Sequence, residues 1–414
     1  MEINAKPLTT TDSREMSPSL LRNEIDQRIV KVRPMATPVD QISRLAGCRP
    51  CGSMIVDYYS VASKEISANL SGAITTSVTP DSTDTGIIVE FSTDRNAIFQ
   101  PSETILFPAA KYADANTGET GHVTGYVIAA DKDSVQACVF NLGRESAGGK
   151  FATSVPAGSP VVRMGRAAAE LDVQTPQFEA LPTKSSNFCQ IFKMQVEQSI
   201  LQRISNKEVG WSFSDQEEIA IADMRLGMEK NFIFGKKLRM RHPDTNEEIF
   251  LTGGIWNQAG DEFSIPAGKT FSEATLVDLC RKAFTKNSGN HRKILLAGSD
   301  LMSKIAHLST HKILQGNQTY VKWGLEFREI ITNFGRLYVI HSEIFDDCGH
   351  SADGMVIDPE YITKYSHIPF RTDRLDLRGA GIRNTDAIVI TECSCLVLRN
   401  PKAHLRVIDM TSAG

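Results

Sequence analysis

Side chains that could bind a metal ion gather in the stretch IFDDCGHSADG of this 414-residue sequence. The metal-capable residues there are Asp346, Asp347, Cys348, His350 and Asp353. Their order fits neither the calcium-binding loop, with oxygen ligands at alternate positions, nor a zinc signature with paired Cys or His ligands. The stretch therefore predicts a solvated loop between strands rather than a metal site.

Cysteines offer a second possible chemistry, since the sequence contains eight of them. Cys48 and Cys51 form a C-x-x-C pair, but no second C-x-x-C or H-x-x-x-H supplies the other two ligands of a zinc centre. Cys393 and Cys395 lie two apart in a strand-like run, so both side chains face the same side. We expect reduced, buried thiols at this pair.

The third candidate is IPAGKTFSEATL, where Gly268, Lys269 and Thr270 precede a predicted helix as in a phosphate-binding loop. That loop requires a glycine five positions before Gly268, and the residue there is Phe263. The sequence also lacks G-x-S-x-G and H-E-x-x-H motifs. We therefore expect no cofactor, no metal and no catalytic residues, although a site assembled from distant residues stays an alternative.

Aromatic and basic residues alternate in DGMVIDPEYITKYSHIPFRTDRL, residues 353 to 375. An apolar run ends at Asp358-Pro359, and large side chains follow it. Tyr and Arg are enriched at the energetic centres of protein interfaces. This segment is therefore interpreted as a packing and contact surface rather than an active site.

Composition narrows the classes of protein further. The net charge is −4, so the molecule as a whole does not attract nucleic acid or anionic lipid electrostatically. The opening residues show no signal peptide, and no window approaches the ~18 apolar residues of a membrane span. We expect neither secretion nor membrane insertion by these routes.

The chain divides into two unlike halves. Residues 1 to about 186 are rich in Ser, Thr, Ala, Asp and Gly, and residues 86–165 read as short strands separated by turns. From Phe188 the patterns predict an α+β body with a long helix over Ser214–Lys237, opened by a capping box at Ser214 and Glu217. A short helix is also expected around Val39–Leu45 and another around Pro18–Ile29.

The apolar pattern also predicts which side chains are buried. On the long helix, Ile219, Leu226 and Ile233 are expected to face the sheet. The small β domain is expected to have its own core, formed by Val89, Phe91, Ile105, Phe107, Val127, Val139 and Phe140.

The order of predicted elements resembles the major capsid proteins of tailed bacteriophages, which share the Hong Kong 97 fold. Several segments are similar to sequences in the capsid branch that includes crAss-like phages. They include RPMATPVDQISRLAG (33–47), VVRMGRAAAELDVQTPQFEALP (161–182) and RKILLAGSDLMSKI (292–305). The resemblance covers nearly the whole chain except residues 86–160, where a small all-β domain is expected to be inserted.

The resemblance implies a division into capsid domains. These are an N-terminal arm (1–52), an extended loop (53–186) carrying the inserted β domain (about 86–160), a peripheral domain with the long spine helix (187–250), an axial domain (251–369), and a return to the peripheral domain (370–414).

The function implied is that of a non-enzymatic major capsid protein of the virion, assembled in the bacterial host cytoplasm. It would form pentamers and hexamers of an icosahedral head enclosing double-stranded DNA without sequence-specific binding. Its other partners would be a portal and possible decoration or scaffolding proteins, with no membrane. The expected inter-subunit contacts are Arg33, Arg44, Arg163, Arg166, Tyr361, Tyr365, Phe370, Arg371 and Arg374.

Two alternatives stay open from the sequence. An encapsulin-type nanocompartment shell uses the same fold inside a cell, and cargo would distinguish it from a phage head. A cytoplasmic enzyme with a dispersed site belongs to a different class, and it would form a small defined oligomer instead of a shell.

Overall fold

The protein is described by a computed structural model covering residues 37–60, 65–75, 86–113, 120–140, 154–170, 182–205, 212–285, 289–308, 314–322 and 325–410. Its described residues form two compact units. Unit 1 contains those up to Ser60 and from Lys184 onward, and unit 2 is Val61–Thr183. The predicted helix around Pro18–Ile29 lies outside the described residues.

The helices of the described residues are α1 (Pro38–Gly47), α2 (Ile200–Ile204), α3 (Phe213–Phe234), α4 (Ile255–Gln258), α5 (Glu273–Phe284), α6 (Ser299–Ala306) and α7 (Glu343–Asp347).

The strands are β1 (Cys48–Pro50), β2 (Ile55–Ser60), β3 (Ser67–Asn69), β4 (Ile74–Thr75), β5 (Ile87–Phe91), β6 (Glu103–Ala113), β7 (Thr120–Ala130), β8 (Val135–Phe140), β9 (Ser154–Val155), β10 (Pro160–Arg166), β11 (Thr183–Phe188), β12 (Gln190–Ser199), β13 (Leu238–Arg241), β14 (Glu248–Leu251), β15 (Asp261–Ile265), β16 (Arg292–Ala297), β17 (Leu314–Lys322), β18 (Leu325–Thr332), β19 (Gly335–His341), β20 (Gly354–Ile357), β21 (Ile362–Asp376), β22 (Thr385–Leu398) and β23 (Leu405–Asp409).

A four-stranded sheet, ordered β1-β21-β22-β12, carries one core of unit 1. Strand β22 is buried on both faces from Ala387 to Leu398, as expected for its run of apolar residues between two neighbouring strands. Helices α1 and α3 pack their apolar faces on this sheet, with Val39, Met228 and Phe232 in the shared core.

A seven-stranded mixed sheet, ordered β15-β23-β20-β16-β19-β18-β17, carries the second core of unit 1. Helix α5 packs on it through Leu276 and Leu279, and helix α6 packs through Leu301. Strand β16 pairs in parallel with β19 and antiparallel with β20, so it lies in the middle of the sheet and is buried along almost its whole length.

Helix α3 begins at Phe213, one residue after its cap. The Ser212 hydroxyl accepts a hydrogen bond from the Asp215 backbone N–H (3.2 Å), and the Asp215 carboxylate accepts one from the Ser212 N–H (2.8 Å). The predicted capping box at Ser214 and Glu217 was therefore wrong by two residues, because an equivalent pair precedes it.

The same helix ends at Phe234, three residues before the predicted end. A Cβ on Gly235 would lie 2.4 Å from the carbonyl oxygen of Asn231, so this backbone path fits only glycine. Gly235 also makes a backbone hydrogen bond, since its carbonyl accepts from the Gly254 N–H (2.7 Å). The helix end therefore packs directly against the chain that opens α4.

Unit 2 has a six-stranded antiparallel sheet, ordered β3-β10-β6-β7-β8-β5, and a small pair β4-β9. Its core is separate from those of unit 1 and includes Phe91, Ile105, Phe107 and Val127. The β structure begins before the strands predicted over residues 86–165, because β3 pairs with β10 at the edge of the sheet.

Two predicted core residues are exposed. Phe140 follows the buried Val139 directly, and neighbours on a strand point to opposite faces, so Phe140 is 36% exposed. Ile219 is 42% exposed because the buried stripe of α3 runs through its neighbour Ala220 and then Met224. Ile233 is buried as predicted, and Leu226 is half-buried against the core.

Candidate functional site

The predicted contact segment lies on a long hairpin formed by β21, of 15 residues, and β22, of 14 residues. Its two strands pair from Ile362 opposite Leu398 to Asp376 opposite Asp386. The first residues of β21 are buried, whereas most of its residues from Pro369 onward are exposed. The hairpin thus has a base inside the core and a distal half in which the β21 side chains reach the surface, whereas β22 stays buried from Ala387 onward.

The aromatic residues of the segment support the base of the hairpin. The Tyr365 hydroxyl accepts a hydrogen bond from the Arg399 guanidinium (2.9 Å). Phe370 packs against the core, and the guanidinium carbon of Arg225 lies 5.5 Å from its ring centre. Tyr361 is half-buried in the short turn that precedes β21. These side chains are already partly engaged inside the subunit.

The two arginines of the distal half point to solvent. Arg371 pairs with Asp373 across an exposed 3.1 Å contact, which contributes little to stability. Arg374 is exposed. Both are therefore placed where a neighbouring molecule could reach them, and their contact role stays a prediction.

The remaining predicted contact residues are distributed elsewhere. In unit 2, Arg163 forms a bidentate ion pair with the buried Glu103, and Arg166 donates to Gln100. Arg33 and the side chain of Arg44 lie outside the described residues. The structure thus gives Arg163 a partner within its own sheet.

Sequence reasoning missed an apolar surface at the distal end of the same sheet, which we call the tip surface. It is defined by Leu201, Ile204, Leu375 and Ile382. Leu201 and Ile382 are 72% and 68% exposed. Because Ser199 pairs with Thr385 and Asp376 with Asp386, all four lie at one end of the sheet. Exposed apolar residues grouped in this way are typical of protein interaction sites.

Local bonds hold the tip surface in place. Arg203 of α2 pairs with Asp386 of β22 (2.7 Å), and the Thr385 hydroxyl donates to Glu197 of β12 (2.5 Å). The first contact joins the short helix α2 to β22, and the second joins β12 to β22. The surface is therefore supported by secondary structure on both sides of the turn.

A buried anchor lies under the hairpin base and consists of Asp40, Glu229, Lys364 and Glu392. The Lys364 ammonium lies 2.8 Å from Asp40 and 2.7 Å from Glu392, and all three side chains are at most 3% exposed. The Glu229 carboxylate accepts hydrogen bonds from the backbone N–H groups of Val39 and Asp40, both at 2.7 Å. The anchor joins α1, α3, β21 and β22 through charged groups.

The electrostatics of the anchor follow from burial. Removal from water raises the pKa of Glu229 to about 8, although the two backbone N–H donors and Lys364 act in the opposite direction. Near neutral pH this carboxyl therefore holds a proton, which reduces the excess of negative charge around Lys364.

The metal-capable stretch has a structural role instead. Asp346 accepts hydrogen bonds from the backbone and hydroxyl of Ser299 at the start of α6, and it contacts His341 (3.0 Å). His350 contacts Asp353 (2.7 Å). Within the described part of the chain, no group of three or more such side chains is arranged to hold a metal ion.

The phosphate-loop candidate is a surface turn. Gly268 adopts a positive φ of 82°, and Lys269 and Thr270 are exposed ahead of α5. Among the described helices, none is long and apolar enough to cross a membrane.

Comparison with known proteins defines the class: this is a major capsid protein. Residues 6–411 match the family described as SU10 major capsid protein, and the chain belongs to that family. As a capsid protein it is a component of the virion. No curated protein matches the chain.

Solved structures similar to the chain share little sequence with it. One, described as Mycobacterium phage Bobi, has 9% identity and a TM-score of 0.43, covering 98% of this chain and 99% of that chain. The capsid of a native GTA particle has 10% identity and a TM-score of 0.48, covering 97% and 99%. One described as Gordonia phage Cozz has 12% identity and a TM-score of 0.45, covering 98% and 96%.

The predicted capsid function is confirmed by the family match, and the described residues combine helices and strands as the predicted α+β class requires. The Hong Kong 97-type arrangement of these elements stays a prediction. The narrower similarity to crAss-like phages and the boundaries of the capsid domains stay predictions.

Proposed function

We propose that this chain forms the icosahedral head of a phage by assembling into pentamers and hexamers, with the distal hairpin and tip surface as contacts between subunits. The observation that supports this is the division of one hairpin into a buried, charge-anchored base and an exposed end with apolar and arginine side chains. A second copy of the chain is the occupant that capsid membership favours.

The protein acts without catalysis in this proposal. Its buried polar groups connect secondary-structure elements, as Lys364 does, instead of lining a cleft for substrate. The enclosed double-stranded DNA is held without sequence readout, consistent with the net charge of −4. Arg371 and Arg374 contact the neighbouring subunit, and portal, decoration or scaffolding proteins are further partners.

The experiment replaces Ile382 with Asp in the full-length chain. Because Ile382 is 68% exposed in the subunit, the variant is expected to fold normally and to lose most shell assembly. Ile382→Leu, which keeps an apolar side chain at the same position, is the matched control and is expected to assemble. Circular dichroism checks folding, and sedimentation with electron microscopy counts shells.

If Ile382→Asp assembles shells in the same yield as the parent, the tip surface is not a contact between subunits. Failure of the unaltered chain to assemble under any condition tested would contradict the proposed function itself.

A further inference from the structure

Four cysteines from separate parts of the sequence converge in unit 1. The Sγ atom of Cys189 lies 3.4 Å from that of Cys395 and 3.8 Å from that of Cys51. Cys393 belongs to the same apolar cluster. In the sequence, only the pairs 48/51 and 393/395 lie close together. Cys189 is brought next to Cys51 and Cys395 by the tertiary fold.

The exposure of these thiols is unequal. Cys189, Cys393 and Cys395 are fully buried, whereas Cys51 is partly exposed. The close approach of two sulfur atoms, one of them within reach of solvent, favours thiol chemistry between these neighbours. An exposed cysteine beside a buried one fits the pattern of a thiol that reacts first and a second thiol that resolves it.

Backbone hydrogen bonds fix the two segments that carry this pair. The Cys51 N–H donates to the Ser366 carbonyl (3.0 Å), and the Cys51 carbonyl contacts His367 Nδ1 (2.9 Å). The Cys189 N–H donates to the Met54 carbonyl (2.7 Å). The sulfur atoms need to approach by only about 1.8 Å to reach disulfide bonding distance.

We propose that Cys51 and Cys189 form a disulfide bond when the protein leaves a reducing environment. The inference rests on the proposed function, since a virion assembles in the reducing cytoplasm of its host and is released into oxidising surroundings. The bond would close a segment, residues 52–188, that contains the whole of unit 2. It would act as a covalent lock that is added after assembly.

The chemistry balances with a small-molecule disulfide as oxidant. The Cys51 thiolate attacks one sulfur of that oxidant, forms a mixed disulfide and releases one thiolate. The Cys189 thiolate then attacks Cys51 Sγ and releases the second thiolate. Two electrons pass from the cysteines to the oxidant, and the two protons end on the released thiols.

The second step is expected to be slow at neutral pH. Contact with Cys393 lowers the pKa of the Cys189 thiol, but contact with Cys395 and burial raise it by more, so the net pKa is above the ordinary value. The yield of the bond is therefore expected to increase with pH and time.

The test treats the reduced full-length protein, as free subunits and as shells, with glutathione disulfide. Trypsin digestion and mass spectrometry should then find peptide 45–64 joined to peptide 185–193. Cys48→Ser is the matched control, since Cys48 lies in the same peptide and should not be needed. Cys51→Ser and Cys189→Ala should each abolish the link.

Oxidation is also expected to raise the midpoint of thermal unfolding by ~5 °C, because closing a long loop restricts the unfolded chain. The Cys51→Ser variant should show no such shift, and dithiothreitol should reverse it in the parent.

Absence of the link after prolonged oxidation at pH 8, a link that persists in Cys51→Ser, or a link joining Cys189 to Cys395 without Cys51 would each overturn the proposal. Free subunits and shells are tested side by side, so the two claims can fail separately. A chain that forms the disulfide but no shells would contradict only the proposed function. A chain that forms shells but no disulfide would contradict only this inference.

Discussion

At the residue scale, the buried anchor combines one lysine with three carboxyl groups, of which Glu229 is protonated near neutral pH, in a core where charge is costly. Lys364 contacts two of the carboxylates directly, and the third, Glu229, is bonded to the start of α1. Buried ion pairs add little net stability, but removing one partner leaves an uncompensated charge inside the protein. Single substitutions at this cluster are therefore sensitive tests of it.

Lys364→Met should destabilise the free subunit by about 3–5 kcal/mol, because Asp40 and Glu392 would lose their buried cation. Lys193→Met, an exposed change on strand β12 of the same sheet, is the control, and it should change the free energy of unfolding by no more than about 0.5 kcal/mol. Urea unfolding of both variants measures the difference. Equal midpoints for the two variants would show that the anchor carries no such charge pairing.

Glu229 should make stability depend on pH. Its pKa is raised from 4.5 unfolded to about 8 folded, so its stabilising contribution is complete below pH 4.5 and is lost as pH rises through 8. Between those two pH values, the free energy of unfolding of the parent should fall by up to about 1.4 kcal/mol per pH unit more than that of Glu229→Gln. Unfolding curves between pH 5 and 8 measure both slopes, and parallel slopes would refute the assignment.

The sequence could predict part of this site and not the rest. The aromatic and basic pattern after Asp358-Pro359 drew attention to the segment that forms β21, but it did not predict the pairing of β21 with β22 in a hairpin. Asp40 and Glu229 could not be predicted as buried, since charged residues are normally exposed and the partners of these two lie far away in the sequence. The proximity of Cys189 to other cysteines could not be predicted either, because those cysteines are distant in the sequence.

At the element scale, the end of α3 depends on close contact between backbones. A Cβ on Gly254 would lie 2.4 Å from the Ile233 carbonyl oxygen and 2.6 Å from the Gly235 nitrogen. These are main-chain atoms that cannot rotate away, so the helix end or the start of α4 would have to move.

Gly254→Ala should therefore destabilise the subunit by about 1–3 kcal/mol, as overpacked sites do. Gly227→Ala is the matched control, because Gly227 lies within α3 and has open space around its Cβ position. That change should be neutral or stabilising by up to ~1 kcal/mol. Thermal unfolding of both proteins gives the comparison, and a neutral Gly254→Ala would contradict the close packing.

Element boundaries were harder to predict than element types. The long helix, the short helix α1 and strand β22 were expected from the sequence and are present. Strand β23, which follows β22, was not predicted. The start of α3 depended on which of two nearby capping pairs forms, and Ser212 with Asp215 does so. The edges of the β domain depended on β3 and β10, whose pairing is set by the tertiary fold.

At the scale of the whole molecule, unit 2 has a core of its own and should fold independently. A fragment of Val61–Thr183 should unfold cooperatively, and Phe107→Ala should cost it about 3–5 kcal/mol because Phe107 is fully buried. Ile128→Ala, an exposed change on β7, is the control and should have little effect. A fragment without a cooperative transition in urea would contradict an independent core.

Assembly is the property that unites the anchored hairpin, the exposed tip surface and membership of a capsid family. Cryo-electron microscopy of the expressed full-length chain tests it most directly. We expect closed shells of pentamers and hexamers in which Leu375 and Ile382 of each subunit are covered by a neighbouring copy. A protein that stays a monomer or a small defined oligomer, or shells in which the tip surface faces solvent, would contradict this expectation.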